Sequence, residues 1–152
     1  MMWIREAGEP DLEAVLALLR QDAIRRFEEP ARVSENQRAA FREITASPHQ
    51  QILVGEVDGW IVATCQVAWL RRLIYDGSLI CNVESVRVSD EHRGKGLGAE
   101  LMAYVRAEAR WRDCARVELT TNRRRDRAQR FYERLGYVPS HVGMKLYLKE
   151  DP

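Results

Sequence analysis

The chain reads as an α/β (α+β) fold, a mixed sheet with helices on both faces, and three observations predict it. Asp58-Gly59 joins two strand-like runs, Gln51 to Val57 and Trp60 to Leu70, as a two-residue hairpin turn does. The run Val86-Arg87-Val88-Ser89-Asp90-Glu91-His92-Arg93-Gly94-Lys95-Gly96-Leu97-Gly98 carries an alternating strand through a glycine-rich turn and straight into a helix. Antiparallel strands come first, followed by strand, helix, strand, helix and strand, an order that gives a mixed sheet covered on both sides.

Met2 to Glu6 alternates weakly and predicts a short first strand. Pro10-Asp11 then opens a helix with Leu12, Val15, Leu16, Leu18 and Leu19 on a broad apolar face, ending near Glu28-Glu29-Pro30. A more polar helix over Glu35 to Thr45 turns Phe41 and Ile44 inward until Ser47-Pro48 stops it. Beyond the hairpin, Asp76-Gly77 marks a turn, and Ser78 to Val88 forms the strand that feeds the glycine run. From Gly96 the spacing is helical, with Leu97, Leu101, Tyr104, Val105 and Ala109 recurring every three or four residues toward Trp111. Ala115 to Thr121 predicts a strand, and Asp126 to Leu135 a helix with Asp126 as its N-cap. Tyr137-Val138 and Val142 to Leu148 predict the closing strands. No repeat, linker or low-complexity tract divides the chain, so one domain spanning 1–152 is expected.

The glycine run has the makings of a phosphate cradle. Glycines let backbone amides approach an anion closely, the new helix adds N–H groups without intrahelical partners and a positive dipole end, and Arg93 and Lys95 add charge. Two phosphate loops fail on spacing. The nucleoside-triphosphate loop needs Gly-Lys followed by Ser or Thr, whereas Lys95 stands between glycines with neither after it. The dinucleotide fingerprint G-x-G-x-x-G is not the spacing of Gly94, Gly96 and Gly98.

At 152 residues the chain buries a sizeable core without disulfides. Its net charge of +1 does not attract a polyanion or a membrane surface in bulk. Cys65, Cys81 and Cys114 show no C-x-x-C spacing, the N-terminal residues lack a secretory apolar stretch, and no apolar run approaches the roughly 18 residues of a membrane span. A cytoplasmic, reduced protein without a membrane segment is expected. His49, His92 and His141 lie far apart with no acidic pair at ligand spacing, so no metal is expected.

Arg93-Gly94-Lys95-Gly96-Leu97-Gly98 resembles the R/Q-x-x-G-x-G/A signature of the GCN5-related N-acetyltransferases (GNAT). The strand from Cys81 to Val88 before it, and Ala128-x-x-Phe131-Tyr132-x-x-x-Gly136-Tyr137 about thirty residues after it, resemble that family's motifs in the same order. The resemblance implies a single-domain, mostly antiparallel twisted sheet of about seven strands flanked by about four helices. It also implies acetyl-CoA as co-substrate. Arg93, Gly94, Lys95, Gly96, Gly98 and Ala99 would then hold the pyrophosphate, Val86 and Val88 would pair by their main chains with the pantetheine arm, and Asn122 would hydrogen-bond that arm. Where the motif often has a second asparagine this chain has Arg125, a departure that leaves a phosphate contact instead.

Glu84 is a carboxylate within an apolar strand and needs pairing or hydration there. The resemblance makes it the general base that deprotonates an ammonium acceptor, directly or through water. Tyr132 would be the general acid that protonates the departing thiolate, and a main-chain N–H near Val86 would steady the oxyanion. The same residues read blandly as a solvated or ion-paired glutamate and a tyrosine at a core edge. Cys81, with no histidine beside it, makes a covalent acetyl-cysteine route the weaker one.

The chain is thus expected to transfer acetyl to a primary amine by direct attack on the thioester, with a small-molecule or peptide amine as acceptor. The alternatives are a non-catalytic acyl-CoA sensor or regulatory module, and a nucleic-acid reading of Arg123-Arg124-Arg125-Asp126-Arg127 with Arg130, which lacks aromatic interleaving. In the resembled family the first two helices border the acceptor site; here Trp69, Tyr75 and Met144 could wall it, and Arg71 or Arg72 could draw a carboxylate. The acceptor's identity stays open, as do monomer and homodimer.

Overall fold

The computed structural model describes residues 1–21 and 32–149. They fall into two compact units, one reaching from Met1 to Leu119 and the other beginning at Thr120. The first unit holds β1 (Trp3–Glu6), α1 (Leu12–Arg20), α2 (Glu35–Ala46), β2 (Gln50–Val57), β3 (Trp60–Arg71), the single turn α3 (Ile74–Gly77), β4 (Leu79–Val88), α4 (Leu97–Trp111) and β5 (Cys114–Leu119). The second holds α5 (Asp126–Arg134).

The described residues form one five-stranded sheet in the order β1-β2-β3-β4-β5. The first three ladders are antiparallel and β4–β5 is parallel, with α4 as the crossover between them. The fold is the predicted mixed α/β one. Asp58 and Gly59 take φ of 50° and 82°, the left-handed pair that a two-residue hairpin needs. Leu53 and Val54 are neighbours on β2 and point to opposite faces, yet both are buried. On one side Leu12 and Val15 of α1 cluster with Phe41 of α2, Ile52 and Val54. From α4 come Leu101, Met102, Val105 and Ala109, all buried.

Polar locks set the ends of these elements. Ser34 caps α2 in a reciprocal box: its Oγ accepts from the Gln37 N–H at 3.1 Å, and the Gln37 side chain accepts from the Ser34 N–H at 3.0 Å. Arg5 on β1 holds Asp11 at 2.7 Å and Glu56 at 3.2 Å. The Arg5 guanidinium keeps the Asp11 carboxyl below the usual carboxylate range, helped by the Gly8 N–H and opposed by burial.

Three expectations are corrected. Among the described residues the sheet has five strands rather than about seven, because Tyr137-Val138 and Val142 to Leu148 belong to no strand. Alternation shows which face a strand would bury but supplies no ladder partner. The first helix ends at Arg20, where Gln21 turns extended at ψ 136°; the expected end near Glu28-Glu29-Pro30 lies outside the described residues. The N-cap of α5 is Arg125, not Asp126, because the Asn122 carbonyl accepts from the Arg125 N–H at 2.9 Å and brings the chain round one residue earlier. Among the described residues no helix is long and apolar enough to cross a membrane.

Candidate active site

The strand β4 changes character midway. From Leu79 to Val83 it pairs with β3 on one edge and β5 on the other, the parallel register ending at Val83 opposite Leu119. Beyond that point its register is with β3 alone, through Gln66↔Glu84, Thr64↔Arg87 and Ala63↔Val88. Two residues of β4, Ser85 and Val86, there face the single Cys65, and Ser85 takes a φ of 54°. This is a β-bulge, which bends a strand and re-aims its side chains. Glu84 and Ser85, which would point to opposite faces in a regular strand, are both exposed. Val86 and Val88 are half-buried, and the β4 edge beside them presents main-chain groups that an amide-bearing ligand can match in the manner of an added strand.

The chain leaves β4 through a short 3-10 turn, Asp90–His92, and enters the glycine run. Gly94 and Gly96 take φ of 75° and 82°, and a β-carbon at either would meet nothing within 4 Å. Their requirement is therefore conformational: only glycine adopts the left-handed region without strain. Gly96 is the N-cap of α4, and its carbonyl accepts from the Glu100 N–H at 3.1 Å. The amides of Leu97, Gly98 and Ala99 precede that first bond and remain as donors at the helix's positive end. Lys95 is exposed beside them. Arg93 bonds Asp90 at 2.8 Å and reaches the Val88 carbonyl at 3.4 Å. The Asp90 N–H in turn donates to the Gln21 side chain at 3.1 Å, which fastens the end of α1 to this loop.

Sequence reasoning placed Glu84 correctly on the strand, and the structure resolves its solvation. It is exposed, with the Asn82 amide 3.4 Å from Oε1. Cys81, three residues earlier, is fully buried, and burial pushes its thiol up to about 12. A thiol so far from ionising is a poor nucleophile. The expected acceptor wall fares differently. Trp69 is buried beneath the Arg112 guanidinium at 4.2 Å and donates to Gln51, so it lines no open site. Arg71 bonds the Gly77 carbonyl, and Arg72 bonds Glu118 at 3.4 Å. Tyr75 is exposed, with Arg116 over its ring at 4.9 Å.

A feature with no motif behind it lies between α1 and α2. A cavity of about 550 Å³ is lined by Glu13, Arg20, Arg32, Val33 and Arg38. Arg20 ends α1, Arg32 precedes α2 and Arg38 lies within it, a scatter that gives no spacing signal, so only the fold gathers them.

In the second unit the Asn122 carboxamide accepts from the Arg124 N–H at 2.9 Å, and its carbonyl accepts from the Arg125 N–H. This Asx turn shapes the entry to α5. Tyr132 is half-buried, stacked on Phe131 at 5.1 Å and edge-on to Tyr137 at 5.6 Å. Met144 is exposed. The residues foreseen as the site are thus gathered in two sets: Glu84, Val86, Val88, Arg93, Gly94, Lys95, Gly96, Gly98 and Ala99 run along one strand, loop and helix, while Asn122 and Arg125 lie at the entry to α5 and Tyr132 in its last turn.

Residues 16–137 match the family model described as Acetyltransferase (GNAT) family. The chain belongs to that family. This N-acetyltransferase is 31% identical over 113 residues to an aminoglycoside N(6')-acetyltransferase type 1 of Serratia marcescens, covering 72% of this chain and 77% of that protein. It is 34% identical over 87 residues to an aminoalkylphosphonate N-acetyltransferase of Salmonella typhimurium, covering 57% of this chain and only about half, 53%, of that one. Among solved structures it is similar to a protein described as a transcriptional regulator from Bacillus halodurans C-125. That likeness has a TM-score of 0.92 and 33% identity over 97% of this chain and 100% of the other.

Proposed function

We propose that this acetyltransferase uses acetyl-CoA and transfers the acetyl group to a primary amine by direct attack on the thioester. The observation that carries the reading is the continuity of β4 with the glycine loop. A half-paired strand edge at Val86 and Val88 suits the amides of a pantetheine arm, and the strand leads without interruption to the left-handed Gly94 and Gly96 and the start of α4. Arg93, Lys95, Gly98 and Ala99 act there on the pyrophosphate, with Asn122 on the arm and Arg125 on a phosphate.

Glu84 takes a proton from the ammonium, directly or through water. The amine lone pair then forms the C–N bond, the C–S bond breaks, and Tyr132 protonates the departing thiolate. The exposure of Glu84 supports this role, since a base that meets solvent can pass its proton on. The buried, hard-to-ionise Cys81 speaks against an acetyl-cysteine intermediate.

The acceptor we favour is an amine that also carries an anionic group. Of the two named relatives, one is an aminoalkylphosphonate and the other an aminoglycoside N-acetyltransferase. The cavity between α1 and α2 presents three guanidinium groups and one carboxylate, which favours the former. The test is titration calorimetry with acetyl-CoA paired with thiol release over amines with and without phosphate, phosphonate or carboxylate. Release with anionic amines is expected; binding with no release from any acceptor would replace the enzyme by a sensor module.

A further inference from the structure

We propose that Asp90 is a built-in competitor for the cofactor's pyrophosphate: its carboxylate holds Arg93 until the phosphate takes its place. The inference rests on the acetyl-CoA reading above. Most of the glycine loop favours an anion, from the left-handed Gly94 and Gly96 to the amides at the start of α4 and the exposed Lys95. Asp90 and Glu91, just upstream, do the opposite, since like charges beside an anion cradle weaken it. Asp90 also acts on the cradle directly. Its Oδ1 lies 2.8 Å from the guanidinium of Arg93, the only arginine between Val88 and Gly98 and the one donor there with a fork that fits a phosphate.

The pair is made to yield. Both side chains meet solvent, at 45% for Arg93 and 58% for Asp90, and an exposed ion pair is weak. A guanidinium fork matches two phosphate oxygens with parallel bonds, and a pyrophosphate carries more charge than a carboxylate. Arg93 therefore turns to the ligand, but the Asp90 backbone is fixed. The Ser89 N–H donates to the Val62 carbonyl at 2.7 Å, the His92 N–H donates to the Ser89 carbonyl at 2.9 Å, and the Asp90 N–H donates to the Gln21 side chain at 3.1 Å. β3 and the end of α1 thus hold the turn in place, and the released carboxylate stays beside the cradle as a like charge. The contact weakens every phosphate ligand by the same factor. A bare phosphate is held off, while a ligand that also pairs its amides along β4 still binds.

The test is titration calorimetry of the full chain with CoA and with inorganic pyrophosphate. Asp90→Asn keeps the size of the side chain and the N–H that Gln21 accepts from, so it removes the charge alone. It is expected to bind both ligands about fivefold more tightly, the upper range for releasing an exposed ion pair, and the gain should shrink in high salt. Arg93→Gln, the other residue that the R/Q-x-x-G-x-G/A signature allows, completes a double-mutant cycle. In that background Asp90→Asn should gain no more than about twofold, because no ion pair is left to release. Unchanged or weaker CoA binding by Asp90→Asn would make the carboxylate a support for Arg93 and overturn the proposal. An equal gain in the Arg93→Gln background would overturn it too, since the carboxylate would then act by repulsion alone. Failure of the unmodified protein to bind CoA is a different result: it would remove the acetyl-CoA reading, and the proposal with it.

Discussion

From Leu79 to Val83, β4 is flanked by strands on both edges and closes Ile80, Cys81 and Val83 off from water; from Glu84 to Val88 its register is with β3 alone, and Glu84 and Ser85 meet solvent. Ten consecutive residues thus serve two ends. The inner half belongs to the core, and the outer half gives up ladder bonds and regular alternation to leave an edge for a ligand. The bulge at Ser85 and Val86 is the joint between them. Stability and activity should therefore be separable along a single strand.

Glu84→Gln gives the largest separation. The rate should fall by about 10²–10⁴-fold, the range for losing a general base, and should climb with pH as the amine supplies its own neutral form. The melting temperature should hold, since the side chain is exposed. An unchanged pH–rate profile would remove Glu84 as the base. Ile80→Ala should do the reverse: a fully buried side chain leaves a cavity that costs about 2–5 kcal/mol in denaturant melts, while acetyl-CoA affinity of the folded fraction stays level. Gly96→Ala tests the far end of the outer half. Forcing an alanine to the φ of 82° costs about 1–2 kcal/mol, and the KM for acetyl-CoA should rise as the loop relaxes. A KM that does not move would separate the loop from the cofactor.

The smallest effect is a count of thiols. Burial pushes Cys65 and Cys81 up to about 12, whereas Cys114 is only half-buried. A thiol reagent should therefore titrate about one cysteine in the native protein and all three after unfolding. Fast reaction of Cys81 would show that the inner half opens as readily as the outer.

What was legible in the sequence was what local chemistry dictates. Asp58-Gly59 encodes its own turn, and Gly94 and Gly96 announce a backbone that only glycine tolerates. The bulge was not legible, because Ser85 is no residue that signals a positive φ, and its position depends on how β3 and β4 are matched across the ladder. Trp69 was misread as a site wall because a strand residue faces one of two sides and nothing local says which. The cavity arginines were invisible for a related reason: Arg20, Arg32 and Arg38 meet only once two helices have packed. The row from Val142 to Leu148 was read as a strand from its alternation, but alternation names a face and leaves the neighbour unnamed.

The strands stand in the sheet in the order in which they occur in the chain, and this bears on how the molecule comes together. β2, β3 and β4 are linked by a two-residue turn and a short loop, so their ladders close at little entropic cost. β1 must reach across two helices to find β2, and β5 waits for the whole of α4. The β2-β3-β4 meander is thus the expected nucleus, and the parallel ladder that stops at Val83 forms late. In refolding kinetics Val67→Ala should chiefly slow folding, while Val117→Ala should chiefly speed unfolding.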